Sequence, residues 1–356
     1  MSDTLQDIRR KIDALDVRLV KLISARAKIV QRVGKIKKNI LVYRPDRETQ
    51  VLRRISELNQ GPMPSSSLRR IYIEIMSACR ALEDKLAVAY LGPQGTFSQE
   101  AVIRHFGHSI ATRSCTTIDE VFKHVEIAAT GYGVVPVENS TEGAIGRTLD
   151  LLLTTPARVC GEIMLPVQQC LMSKAKNLKA IQKVYSHAQS LGQCQRWLAR
   201  HLPGVAQVAV VSNAEAALLA TRDGTSAALA SKTAAELYKL NLLARNVQDE
   251  SRNITRFLVL SREDVAPSGR DKTSLILSTR NAPGAIQDLL VPLAKNGVSM
   301  TRLESRPART GRWEYVFYLD IEGHAQDARV ARSLAAIERK ASFVKNLGSY
   351  PATFVR

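Results

Sequence analysis

Four cations and a carboxylate stand out first. Arg9, Arg26 and Lys37 recur along one apolar-striped segment, and Arg47-Glu48 follow a short break. Guanidinium forks grip carboxylates through paired hydrogen bonds, so the set suits an anionic ligand; a solvated basic surface would use the same residues. Four polar runs follow: Gly92-Pro93-Gln94-Gly95-Thr96-Phe97-Ser98, Val135-Pro136-Val137-Glu138-Asn139-Ser140-Thr141-Glu142-Gly143, Ser186-His187-Ala188-Gln189-Ser190-Leu191-Gly192-Gln193-Cys194 and Thr255-Arg256-Phe257. Each alone is ordinary turn and cap chemistry. Four of them at strand edges in one α/β segment mark a ligand cleft. Near the C-terminus, Asn281-Ala282-Pro283-Gly284-Ala285-Ile286 reads as a glycine turn ahead of a helix, and Leu303-Glu304-Ser305-Arg306-Pro307 as a polar strand.

Some chemistry is not written here. No G-x-x-x-x-G-K-[ST], G-x-G-x-x-G or H-E-x-x-H is present, and the six histidines are scattered. The expectation is therefore no metal and no cofactor, with side chains and positioning doing the work.

The elements that must hold these residues fall into three segments. Leu5, Ile8, Ile12, Leu15, Leu19, Leu22, Ile29, Val33 and Ile36 step by three, four and seven, the face of one helix. Carried to residue 38 it would run roughly 50 Å. The two shorter helices that follow, 47–59 and 67–85, cannot cover such a length, so the pattern predicts half of an intertwined dimer. From residue 86 short β-rich runs (86–91, 133–137, 162–172, 183–186, 205–211, 257–260) alternate with helical ones (118–129, 188–201, 214–221, 232–238). That alternation predicts an α/β unit with a largely parallel sheet. After a linker at 266–269, the order strand (273–278), helix (286–295), strand (300–306), strand (314–321), helix (326–339), strand (343–349) is the ferredoxin-like βαββαβ pattern. The expected fold class is multidomain: an all-α unit over 1–87, an α/β unit over 88–266 and an α+β unit over 271–356.

Composition bounds the rest. At 356 residues, 45% hydrophobic and 24% charged, the chain is ordinary globular material for two or three domains. No run approaches the ~18 apolar residues of a membrane helix, and the start lacks the layout of a secretory signal. Cys79, Cys115, Cys160, Cys170 and Cys194 are odd in number and never two residues apart, which argues against a disulfide framework and for a reducing cytoplasm. The net charge is +18, half of it on residues 1–87, which hold 19 Lys+Arg against 10 Asp+Glu. Such charge attracts nucleic acid or steers small anions. The basic quarter carries no stacking aromatics interleaved with its cations, which leaves a solvated helix face ahead of a nucleic-acid surface.

The wording of the motifs settles the choice by resemblance. Arg9-x-Lys11-Ile12-x-x-Leu15-Asp16, Arg26, Val33-Gly34-x-x-Lys37 and Tyr43-Arg44-Pro45-Asp46-Arg47-Glu48 resemble the all-helical chorismate mutases across residues 1–87. The resemblance implies a pericyclic rearrangement of a dianion. Arg9 and Arg26 would clamp its carboxylates, one from each subunit. Lys37 would donate to the ether oxygen, and Arg47 and Glu48 would order the site and bind the ring hydroxyl. Glu83 stands where many members carry a Gln, and donates to that oxygen only when protonated. Mutase activity should then be higher at acid pH. Cys79 is packing.

The four central motifs resemble prephenate dehydratases across about 88–265. The resemblance implies two α/β lobes and gives the acid role to Thr255. Thr96, Ser98, Glu138, Asn139, Ser186, His187, Gln193, Arg256 and Phe257 would bind substrate, with Arg256 or the helix start at Ser98 holding a carboxylate. His187 is either a general acid or a structural residue tied to backbone. The C-terminal wording resembles the ACT regulatory domain of the phenylalanine pathway, which implies that Asn281, Gly284, Ala285, Ile286, Glu304, Ser305 and Arg306 bind L-phenylalanine at a dimer interface. Gly-Ala-Ile replaces the family's Gly-Ala-Leu.

Together the resemblances imply a cytoplasmic bifunctional chorismate mutase–prephenate dehydratase under feedback inhibition. It would be a homodimer, with tetramer formation left open, and would bind neither nucleic acid nor membrane. Two alternatives remain at this point: a ligand-sensing DNA-binding regulator, whose head should show short helices and a tight turn rather than one of over 30 residues, and a protein in which one catalytic site has decayed.

Overall fold

The apolar stripe of the first segment winds into a single helix, α1 (Leu5–Ile36), 32 residues long with none of them buried. A computed structural model describes residues 4–36, 43–83, 86–280, 282–307 and 315–353. Two shorter helices follow, α2 (Pro45–Leu58), whose Pro45 sits in its first turn, and α3 (Ser65–Arg80). The third helix is shorter than the spacing predicted, because residues 81–83 leave it as a turn. A head built on a helix of this length is not a helix-turn-helix reader.

The α/β unit has two lobes. The first builds β1 (Ala87–Leu91), α4 (Phe97–Phe106), β2 (Ala111–Cys115), α5 (Ile118–Glu126), β3 (Tyr132–Asn139), β4 (Gly143–Ala144), α6 (Gly146–Thr154) and β5 (Arg158–Pro166). The chain then crosses to the second lobe and lays down β6 (Cys170–Ser173), β7 (Lys183–His187), α7 (Ala188–Gln193), α8 (Gln195–His201), β8 (Ala206–Val210), α9 (Asn213–Ala220), β9 (Ser226–Ala230), α10 (Lys232–Tyr238) and β10 (Asn241–Ala244). It returns as β11 (Ile254–Ser261), which inserts between β3 and β5 and completes the order β2-β1-β3-β11-β5. The second sheet runs β10-β6-β9-β7-β8.

The sheets are mixed rather than largely parallel. β1 pairs parallel with β2 and β3, but β11 is antiparallel to both of its neighbours, and β6 to both of its own. The cause is the crossing: a strand that re-enters a sheet from the other lobe arrives from the far end, and alternation in sequence does not encode that direction.

The last segment folds in the βαββαβ order expected: β12 (Asp271–Ser278), α11 (Ala285–Lys295), β13 (Met300–Pro307), β14 (Tyr315–Glu322), α12 (Ala328–Glu338) and β15 (Phe343–Pro351), with strand order β13-β14-β12-β15. One face of this sheet buries Leu277, Phe317 and Leu319 against Leu289, Leu293 and Ile337 of its helices. The other face puts Ile276, Tyr318, Leu347 and Tyr350 into a shared core with Leu149, Leu152, Val159 and Leu258 of the first lobe. At roughly 1.5–3 kcal/mol per buried large apolar side chain, that shared core makes the third sheet a wall of the first lobe. The helical unit docks on the opposite side of this lobe, where Tyr43 is wedged among His105, Phe106 and Tyr132.

Candidate active sites

The helical site starts from Glu48 in the first turn of α2. Its carboxylate pairs with the Arg80 guanidinium at the end of α3, a buried contact. Burial raises the Glu48 carboxyl above its ordinary range, while Arg80 and then Arg26 pull it down. Arg26 is half-buried on α1, and its Nη1 is shielded from solvent with no protein partner among the described residues. Arg9 is exposed and lies 17 residues up the same helix, about 25 Å away at 1.5 Å per residue. One chain therefore cannot bring Arg9 and Arg26 to one small ligand. Glu83 packs directly on Gly34: a Cβ at Gly34 would stand 3.0 Å from Glu83 Cγ. Arg47 is exposed, Cys79 is buried, and Lys37 lies outside the described residues.

The cleft between lobes is centred on two strands that meet in register. Thr255 of β11 lies opposite Asn139 of β3. Asn139 Nδ2 donates to Thr255 Oγ1 at 2.9 Å and to Asn253 Oδ1 at 2.9 Å, while its Oδ1 accepts from Thr141 N and Oγ1 at 3.0 and 2.6 Å. Thr255 Oγ1 is thus used as an acceptor, which leaves its own proton available to donate. Across the cleft, Gln193 Nε2 reaches Glu142 Oε1 at 3.4 Å. Ser231 Oγ of the second lobe donates to Gly95 O at 3.0 Å, and Gly95, at φ +86°, keeps its backbone close to Ala234. The positive φ favours glycine at that point. The arrangement sets a hydroxyl beside amide donors, groups that can hydrogen-bond a carboxylate and a departing hydroxyl.

Comparison with known proteins assigns each segment to a family. Residues 8–84 match the Chorismate mutase type II family, 88–265 the Prephenate dehydratase family and 273–339 the ACT domain family. A Bifunctional chorismate mutase/prephenate dehydratase of Neisseria gonorrhoeae is 49% identical over 99% of each chain, and one of Stutzerimonas stutzeri 47% identical over 98% of each. The chain belongs to this bifunctional family. Among solved structures, a prephenate dehydratase from Arthrobacter aurescens in complex with L-Phe superposes with TM-score 0.69 at 31% identity, covering 75% of this chain and 90% of that one.

The bifunctional enzyme thus joins a chorismate mutase to a prephenate dehydratase and an ACT domain, which excludes the DNA-binding reading. Several residues in the cleft occupy other places than their motifs suggested. Arg256 does not face the cleft. It is the neighbour of Thr255 on β11, so its side chain takes the opposite face, where Nε meets Glu162 Oε2 at 2.9 Å and Nη1 meets Asp320 Oδ2 at 2.5 Å. A guanidinium already held by two buried carboxylates is not placed to hold a substrate's. Phe257 is core, packed with Tyr90, Phe106 and Val259. Ser186 is buried and donates to Leu229 O and Asn213 Oδ1 at 2.8 and 3.0 Å, bracing the turn from beneath. His187 caps α7, its Nδ1 accepting from Gln189 N at 3.3 Å, which is the structural option. Thr96 Oγ1 ties the Gly-Pro-Gln-Gly turn to Leu91 O and Pro93 O at 3.2 and 3.0 Å. Ser98 is buried in the first turn of α4, and Glu138 carries an ion pair with Arg302.

The effector residues also divide. Gly284, at φ +78°, caps α11 and leaves Ala285 and Ile286 at its first turn. On β13, Glu304 and Arg306 align with Tyr318 and Val316, the face turned to the first lobe, while Ser305 aligns with Phe317 on the helix face. Arg306 sits over Gly146, 3.5 Å from Asp150. Asn281 lies outside the described residues.

Three residues escaped the sequence. Arg80 holds Glu48; Asn213 braces Ser186, His187 and Ser190; Asn253 is buried beside Thr255 with its Nδ2 unpartnered among the described residues. Only Asn253 carried a signal, two positions before Thr255 with its side chain on the same face.

Proposed function

We propose that prephenate is dehydrated at Thr255, with Asn139 as the group that aims it. The Asn139 Nδ2 to Thr255 Oγ1 hydrogen bond carries this reading. It leaves the hydroxyl proton available to strengthen a bond to a departing oxygen as the ring carboxyl leaves as CO2. A hydroxyl is a weak acid, but aromatisation supplies the driving force and only a hydrogen bond is asked for. Gln193 and the α4 start at Ser98 line the remaining cleft, whereas Glu138 shares the far face with Arg256 and pairs with Arg302. Thr255→Ala should lower phenylpyruvate formation from prephenate by at least a hundredfold and leave prephenate formation from chorismate intact, while Thr255→Ser should recover much of the loss. Full dehydratase activity in Thr255→Ala would move the acid role elsewhere.

Chorismate is rearranged in the helical unit by a clamp made of Arg26 from one chain and Arg9 from a second, with Lys37 and Glu83 at the ether oxygen and Arg47 and Glu48 at the ring hydroxyl. The exposed apolar stripe of α1, where Leu5, Leu15, Leu19, Leu22 and Ile29 are each more than half exposed, supports a homodimer through this helix. Arg80 holds Glu48 in place, since a lone buried carboxylate would tend to take up a proton. L-Phenylalanine acts at the ACT domain, a reading the Arthrobacter complex supports. The buried cysteines, with no helix of the described residues long and apolar enough to span a membrane, fit a cytoplasmic enzyme. Assaying each half-reaction separately tests whether either site has decayed.

A further inference from the structure

The regulatory sheet reaches the catalytic strands through a matched set of charges. On the dehydratase side, Arg256 and Glu138 are cross-strand partners, immediately beside the Thr255–Asn139 partners on the same two strands. On the regulatory side, Arg302 of β13 and Asp320 of β14 are themselves cross-strand partners. The two pairs meet charge to charge: Arg256 Nη1 to Asp320 Oδ2 at 2.5 Å, and Arg302 Nε to Glu138 Oε2 at 2.9 Å. Behind them the Arg256 site is fully occupied. Glu162, whose side chain is wholly buried, accepts from Arg256 and from Lys272 Nζ at 2.9 Å, and Asp320 Oδ1 accepts from Ser274 Oγ at 2.5 Å.

The two contacts differ in stiffness. Arg256–Asp320 is braced by Tyr350, whose hydroxyl accepts from Arg256 Nη2 at 3.0 Å, and by the shared core around it. Arg302–Glu138 is looser: Arg302 Nε and Nη2 are buried without an aligned hydrogen-bond acceptor among the described residues, and Glu138 is partly exposed. Arg302 and Asp320 also line a cavity of about 10 Å³, room for roughly one water. β13 is an edge strand, paired with β14 alone, and it carries the Glu304-Ser305-Arg306 run. A ligand on that run would displace the loose contact before the stiff one.

We propose that Arg302 and Asp320 are positioning residues of the dehydratase site: the regulatory sheet holds the Glu138–Arg256 pair, one residue from Asn139 and Thr255, and effector binding on β13 is read at Thr255 through the Arg302–Glu138 contact. This rests on the reading that Thr255 is the dehydratase acid and that β13 takes an effector. Removing the Arg302 charge leaves Glu138 free to move, and with it the backbone that carries Asn139.

The test compares full-length wild type, Arg302→Gln and Arg302→Lys. Dehydratase kcat and KM are measured with prephenate at increasing phenylalanine, phenylalanine binding is measured by equilibrium dialysis, and mutase activity is the folding control. Arg302→Gln should lose about tenfold in dehydratase kcat with KM within twofold, keep its phenylalanine affinity within twofold, and need at least tenfold more phenylalanine for half-inhibition. Arg302→Lys should recover at least half of the lost rate and most of the inhibition. Wild-type kcat and inhibition in Arg302→Gln would overturn the proposal, as would a lysine variant no better than the glutamine one. If phenylalanine fails to bind wild type, the effector reading falls on its own, and the kcat comparison still decides whether Arg302 positions the site.

Discussion

Glycine 34 bears directly on the proposed place of Glu83 in the mutase site. Glu83 lies on it so closely that a methyl group would meet Cγ at 3.0 Å and Cα at 3.4 Å. Gly34→Ala should stabilise α1 locally by roughly 1 kcal/mol through helix propensity, yet lower mutase kcat/KM several-fold by pushing Glu83 off its position, with dehydratase activity unchanged. Mutase activity at wild-type level in Gly34→Ala would remove Glu83 from the site. Glu83→Gln makes the companion prediction: a donor that needs no proton should flatten the acid-favouring pH profile of the mutase, and a wild-type profile already level from acid to alkaline pH would reject it. At this scale the sequence was informative where a motif names a residue and silent on where its side chain points. Thr255 and Arg256 are adjacent in one motif, but strand alternation sends them to opposite faces. β11 is buried on both faces, so no polar–apolar rhythm tells which one is the cleft. Glu304, Ser305 and Arg306 divide for the same reason.

Between elements, the junction of the helical unit with α4 is built on a titratable group. Tyr43 OH and His105 Nε2 share a hydrogen bond of 2.6 Å. Burial, with the nearby Arg80 charge second, pushes the His105 imidazole down to about 4 from its ordinary 6.5. An unfolded chain would take up a proton near 6.5 while the folded one stays neutral, so the unfolded state binds more protons between the two values and stability falls as pH drops through that window. The loss should reach about 2 kcal/mol at pH 5. His105→Gln keeps a hydrogen-bond partner for Tyr43 and removes the titration. Thermal melts from pH 7 to 5 should therefore show a smaller fall in Tm for the variant, and parallel profiles would contradict the assignment. The length of α1 and the βαββαβ order were legible because periodicity and turn residues are local. Arg80 was not, because its partners, Glu48 and the Phe106 carbonyl, come together only when α3 docks on α4.

At the scale of the whole molecule, two reactions share one chain with separate side-chain sites. In the proposed reading the mutase clamp takes Arg9 from a second copy, whereas Thr255 and Asn139 come from one chain. Substitutions should therefore separate the two steps. Arg26→Ala and Thr255→Ala, each purified and supplied with chorismate and with prephenate in metal-free buffer, test this most directly. The account predicts that Arg26→Ala converts prephenate but not chorismate, that Thr255→Ala stops at prephenate, and that a mixture of the two makes phenylpyruvate from chorismate. A folded variant in which either substitution abolished both steps would contradict it.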